Sequence, residues 1–370
     1  MAWIRVIAAL AWVGSCGVAS ESASASARQV ELSEEEQAVF VPYARMSQEV
    51  RALLGEEEVE EAHRRVEEEL REIEADRGAD PEGWVPAARL AFTLTSQMEL
   101  ALRTREAWDA AEICEAILAR QRELVRAFPG DTLIASRLLT GHDIAIRSLL
   151  DSDPDRAERF FPSWRAAIDA MPTEGPGWGE LVARHEGMYK SRQDGIARIR
   201  YHRSLIGGPA PLLPGVGDWA NGDRLAGGDL EGKVVLLDFW AVYCVPCIDA
   251  FPELTRWQEE YGGRGLVVVG VTGCFGYRWD EELKQAIPTE GQSRGDDLRT
   301  LDRFAAHHGL NYRILAEPEG SPLHEAYKIG SIPSTVLIDR EGKVRLIEVG
   351  SGPDELRAIG EMIGRLLGDS

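Results

Sequence analysis

The stretch that most constrains this 370-residue chain is VVLLDFWAVYCVPCIDAFPELTRW, residues 234–257. An apolar run, Val234 to Leu237, leads through Asp238, Phe239 and Trp240 into Cys244-Val245-Pro246-Cys247, and an amphipathic segment follows at once. That order predicts a buried strand feeding a helix whose first turn carries both cysteines. A helix N-terminus offers unpaired N–H groups and the positive end of a dipole, and both favour a thiolate over a thiol. Cys244 is expected to be the more exposed and to act as the nucleophile. Cys247, three residues on, lies close enough to attack the resulting mixed disulfide and release it. Pro246 at an early helical position loses no needed hydrogen bond. The site reads as a dithiol–disulfide exchange centre that needs no bound cofactor. Half a zinc site is the bland alternative, and it requires a second CxxC or CxxH that the sequence lacks.

VVLLDFWAVYCVPC resembles the signature strand, turn and CxxC helix of the thioredoxin-like superfamily. SIPSTVLIDREGKV at 331–344 is similar to a second motif of that family, a cis-proline turn facing the disulfide, followed by an edge strand and a hairpin turn. The resemblance implies a cis bond at Ile332-Pro333 and a turn at Asp339-Arg340-Glu341-Gly342. It implies a substrate chain held against the disulfide by strand-like pairing at Pro333 and Ile332, with Trp240, Tyr243, Val245 and Pro246 around it. It further implies a buried acid at Asp238, six positions before Cys244, with a raised pKa suited to taking the proton of Cys247.

Within the superfamily, the lead-in PAPLLPG…DLEGKVVLLDFWA (209–241) and an insertion at about 274–300 are most similar to the exported TlpA/ResA-like branch. That branch implies a protein disulfide or dithiol substrate, an upstream membrane electron donor, and work as a reductant. Tyr243 stands where the family usually has tryptophan. Ala250 stands where many members carry a glutamate, with Asp249 beside it on a different helical face. The Val-Pro dipeptide matches neither the Gly-Pro of strong reductants nor the Pro-His of strong oxidants. A peroxiredoxin, built on a single peroxidatic cysteine, fits the CxxC spacing poorly.

The resemblance covers roughly 208–368, under half the chain. Before it the periodicity is helical: 31 to about 76, then about 84–102, 105–128, 131–150, 155–171 and 176–202, with breaks at Gly78 to Pro81, Pro129 to Asp131, Asp151 to Asp155 and Met171-Pro172. These lengths predict an all-α domain of stacked helix pairs, TPR-like in outline but without a clean repeat at fixed period. Ser33 and Glu36 have capping-box spacing. The Glu runs at 56–61 and 67–69, interleaved with Arg64, Arg65 and Arg71, read as a solvated face laced with ion pairs. The expected fold is therefore an all-α domain over 28–207 followed by a thioredoxin-like α/β domain over 208–370, the boundary lying at the Gly/Pro cluster 207–215.

Residues 1–27 read as an export leader: one basic residue, an apolar run of about a dozen, then small residues. Cleavage near Ala25 and a lipobox at Val13-Gly14-Ser15-Cys16, with Cys16 lipidated, both stay open. Either places the protein in the cell envelope, where disulfide chemistry is at home. The formal net charge of −21 argues against a nucleic-acid partner. A second reading makes the helical domain the working part, an adaptor that recruits a protein partner. Among the other candidates, Cys114 reads as a small buried hydrophobe and Cys274 as a third redox thiol or an idle strand-end residue. Trp84, Trp108, Trp164 and Trp178 read as core anchors. Adjacent helical residues such as His307 and His308 point about 100° apart, so no metal site is expected there.

Overall fold

The computed structural model describes residues 33–79, 83–104, 107–150, 153–211, 217–225, 227–273, 276–318 and 320–368. The chain divides into two compact units, Met1–Ala197 and Arg198–Ser370.

The first unit holds α1 (Glu34–Gly55), α2 (Val59–Ala79), α3 (Trp84–Thr104), α4 (Ala107–Ala127), α5 (Thr132–Leu149), α6 (Pro154–Asp169) and most of α7 (Trp178–Leu205). Ser33 opens α1 with the expected capping box, its hydroxyl accepting from Glu36 N while the Glu36 carboxylate accepts from Ser33 N. The helical periodicity over 31–76 is two helices and not one. The chain turns after Gly55 through Glu57, which takes a left-handed φ of 62°; the glutamate-rich sequence on both sides hides the break. Each of α1 to α6 packs on its neighbour in the chain, as do α1 on α3 and α3 on α5, and α7 meets α6 through Tyr189 against Phe161 and Trp164. Their shared core includes Phe92, Leu94, Met98, Trp164 and Trp178. Trp84 packs at its edge and donates through Nε1 to Asp131; the side chain of Trp108 lies outside the described residues. Cys114 is fully buried, and burial pushes its thiol up to about 12, as suits a small hydrophobe. Arg65 pairs with Glu49 and Glu69, in line with the expected ion-pair lacing. Glu69 departs from the solvated face expected there, being 2% exposed and bridged at 2.7 Å by Arg89 of α3.

The second unit is a six-stranded sheet in the order β1-β6-β3-β2-β7-β8, made of β1 (Asp218–Ala220), β2 (Val234–Phe239), β3 (Leu266–Thr272), β6 (Arg313–Ala316), β7 (Ser334–Ile338) and β8 (Val344–Val349). The central β2 runs parallel to β3 and antiparallel to β7. Every residue of β2 is buried, as a strand covered on both faces must be. Helices α8 (Val245–Tyr261), α9 (Arg294–His308) and α11 (Pro353–Leu367) pack on one face through Phe251, Leu254, Phe304, Ile359 and Ile363. The short α10 (Pro322–Tyr327) and Leu205 of α7 cover the other through Leu323 and Tyr327. Parallel βαβ followed by an antiparallel ββα end is a thioredoxin-like α/β fold. The Asp339–Gly342 turn closes the β7–β8 hairpin as expected, Gly342 N donating to Asp339 O at 3.0 Å with φ 76° at Gly342. But β7 is not the expected edge strand: it lies between β2 and β8, and β8 is the edge.

The insertion after β3 is more ordered than its sequence suggests. Within the insertion expected at about 274–300, Gln285–Pro288 is β5, paired antiparallel with β4 (Tyr277–Asp280). Trp279 anchors that hairpin, 7% exposed, against Phe304 and His307.

Candidate active site

Cys244 caps α8 with extended backbone (φ −89°, ψ 95°), and Cys247 is the third helical residue after Val245 and Pro246. A disulfide joins them with their Cα atoms 5.3 Å apart. Cys244 is 7% exposed and Cys247 1%, so the first cysteine is the more exposed of two buried residues, in the order read from the sequence. Cys244 O accepts from both Cys247 N and Ile248 N at 3.1 Å, which fixes the cap.

The Ile332-Pro333 bond is cis. The register Phe239↔Ser334 sets Pro333 level with Trp240, just past the end of β2 where the chain turns toward Cys244. The Pro333 carbonyl is already engaged, accepting from Gly350 N at 2.9 Å, while Ile332 is half-buried beside it.

Asp238 lies on the helix-covered face of β2 that also carries Leu236 and Trp240. It is 2% exposed, and burial raises its carboxyl to about 7. Among the described residues, no group donates to its Oδ2, and Trp240 Nε1 and Tyr312 Oη are likewise buried and unpartnered. Tyr312 also stands close enough for the Asp238 charge to help push its phenol well above the usual range, after burial itself.

Four other residues were expected around the disulfide, and they divide. Tyr243 and Val245 are 53% and 65% exposed, and Pro246 is exposed too, forming an apolar surface beside Cys244. Trp240 corrects the expectation. It is 1% exposed, stacked on Phe304 at 5.2 Å and edge-on to Phe251 at 5.3 Å, so it supports the site from beneath and offers no rim. Strand alternation explains this, since residue 240 continues the inward face of 236 and 238. Asp249 is exposed and Ala250 buried, so neither supplies a carboxylate facing the disulfide from within. Cys16 and Cys274 lie outside the described residues.

Two neighbours escaped sequence reading. Tyr277 of the inserted hairpin lies 5.5 Å from the Tyr243 ring and extends the aromatic surface. Ser351 donates to Pro246 O at 2.8 Å, tying the start of α11 to the CxxC turn. Tyr277 follows a Gly at the head of the insertion, which was its only sequence signal; Ser351 had none.

The AhpC/TSA family model matches residues 218–347. Protein DipZ of Mycobacterium tuberculosis is 26% identical over 269 residues, 70% of this chain and 34% of DipZ. The thiol-disulfide oxidoreductase ResA of Bacillus subtilis is 27% identical over 131 residues, 35% of this chain and 61% of ResA. The chain thus spans about a third of DipZ and three-fifths of ResA. Among solved structures, a thiol-disulfide isomerase from Corynebacterium glutamicum aligns at 22% identity and a TM-score of 0.34, covering 44% of this chain and 98% of that one. By sequence the chain is similar to the ResA type of thiol-disulfide oxidoreductase, and the strand order of its carboxy-terminal unit is thioredoxin-like.

Proposed function

We propose that this protein is a thiol-disulfide oxidoreductase in which Cys244 and Cys247 carry the electrons. The observation that carries the reading is the Cys244–Cys247 disulfide at the N-terminus of α8; the strand that leads into it carries the buried carboxyl of Asp238, and the strand paired with it begins just after a cis proline. In the reduced protein, the helix N-terminus stabilises the Cys244 thiolate. That thiolate attacks one sulfur of a substrate disulfide; a new S–S bond forms, the old one breaks, and one substrate thiolate leaves. Asp238, ionised, takes the proton of Cys247. The Cys247 thiolate then attacks Cys244 Sγ and expels the second substrate thiolate. Two electrons pass to the substrate and the protein is left with its disulfide.

An Asp238 pKa of about 7 suits this proton transfer, because a base titrating near the working pH is both available and strong enough. The exposed Tyr243 and Val245 favour an apolar stretch of a protein substrate, paired alongside Ile332 and Pro333. The leader-like first residues support action in the cell envelope, with a membrane dithiol donor to restore the thiols. A redox titration of the full chain in thiol/disulfide buffers tests the reading. A single two-electron transition, lost in Cys244→Ser and in Cys247→Ser, supports it; a midpoint near about −270 mV marks a reductant and one near about −120 mV an oxidant. No transition, or one that survives both substitutions, defeats it.

A further inference from the structure

The helix α7 ends inside the second unit, and its last turns grip the segment that delivers the cis proline. Tyr201 donates from Oη to Ala326 O at 2.8 Å. His202 Nε2 lies 2.8 Å from Tyr327 O, and since a carbonyl only accepts, the imidazole proton sits on Nε2. Ala326 and Tyr327 are the last residues of α10, whose terminal carbonyls have no partners within the helix. These two side chains therefore cap α10 from another element. Lys328, in a left-handed conformation at φ 48°, lays its ammonium 4.3 Å from the centre of the Tyr201 ring. Two residues later, a Cβ on Gly330 would collide with the guanidinium of Arg198. Ser331 and Ile332-Pro333 follow directly. His202 is buried, and burial holds its imidazole below the usual range, so at neutral pH it serves as an uncharged donor.

We propose that Arg198, Tyr201 and His202 are positioning residues for substrate recognition: by fixing residues 326–330 they hold Ile332 and Pro333 where a substrate chain pairs against the disulfide. This rests on the exchange function proposed above. The clamp touches neither sulfur nor Asp238, so it acts on a substrate long enough to pair with the loop and not on the redox chemistry itself.

The test uses the full chain with Tyr201→Phe and His202→Leu, and with His202→Gln as a variant that keeps a side-chain N–H. Three readouts are taken: amide hydrogen exchange over residues 329–335, the midpoint potential, and steady-state reduction of a cystine-containing peptide against the small disulfide 5,5′-dithiobis(2-nitrobenzoate). Exchange over 329–335 is expected to quicken about tenfold in the Phe and Leu variants. KM for the peptide should rise about fivefold with kcat within twofold. The small-disulfide rate and the potential should stay put, and His202→Gln should restore the parent. Peptide and small-disulfide rates falling together, or a potential that moves, would show a merely structural role and overturn the proposal. So would unchanged amide exchange with unchanged KM. If the parent reduces no disulfide at all, the exchange function fails, and the amide exchange still decides whether the clamp exists.

Discussion

Asp238 stands directly opposite Gly270 across the parallel β2–β3 pair. A Cβ at 270 would lie 2.8 Å from Trp240 Nε1 and 3.3 Å from a ring carbon of Tyr312. The missing side chain is what lets an indole and a phenol close over the buried carboxyl. Gly270→Ala is therefore expected to destabilise the protein by about 1–3 kcal/mol through overpacking, although its backbone demands no glycine. A denaturation midpoint measured on the oxidised protein checks this; an unchanged midpoint would mean that the rings give way freely.

Burial of Asp238 makes stability depend on pH in a stated direction. Its carboxyl titrates at about 7 in the folded protein and at about 3.9 unfolded. Between those values only the folded state holds the proton, so stability falls as pH rises through the window. Asp238→Asn escapes that loss. Its unfolding free energy should exceed the parent's by an amount that grows from little near pH 4 to about 4 kcal/mol above pH 7. The same variant should slow release of the mixed disulfide most at the alkaline end, where the parent's carboxylate is ionised and able to accept. Stability curves at several pH values, superposed for the two proteins, would contradict the assignment.

The second cysteine is the release step, so removing it should leave a trapped partner. Cys247→Ser, reduced and mixed with a disulfide substrate, is expected to accumulate a covalent adduct through Cys244 that dithiothreitol dissolves. Cys244→Ser should form none. Mass spectrometry of non-reduced samples reads both results. Cys114 serves as an internal control: with its thiol pushed up to about 12 and no exposure, it should resist iodoacetamide at pH 8 until the helical unit unfolds.

The helical unit should respond to acid in the opposite sense. His142 and His185 are buried at 0% and 1% exposure, and burial lowers each to about 4. An unfolded chain binds their protons from about pH 6.5 downward, so the folded unit loses about 2 kcal/mol per histidine by pH 5. Calorimetry at pH 7.5 and pH 5 should show the helical unit's transition falling while that of the second unit holds or rises. Parallel shifts would refute the pair of assignments.

Much of this was legible in the sequence, for identifiable reasons. The buried run of β2, the CxxC turn and the SIPSTVLIDREGKV hairpin each carry strong local chemistry, and each lies where that chemistry puts it. The failures share a cause as well. Tyr277–Asp280 and Gln285–Pro288 are short, polar and half-exposed, so neither apolar alternation nor a buried run marks them as strands. Trp240 looks like a rim residue by proximity to Cys244, yet its place in the alternation of 234, 236 and 238 sends it inward. The break at Gly55 lies between two charge-rich segments of the same period. Contacts distant in sequence, such as Tyr201 on Ala326 or Ser351 on Pro246, leave no local trace at all.

Helix α7 continues without interruption from Trp178 to Leu205, across the point after Ala197 where the chain divides. A recombination event or an expression boundary placed at Gly207-Gly208 would deliver a cassette that looks whole and lacks its own latch. The cysteines, the acid and the proline would all travel with it, while the two turns that steady the proline's approach stayed behind with the donor gene. Transplanting this redox module intact requires borrowing the end of its neighbour's helix.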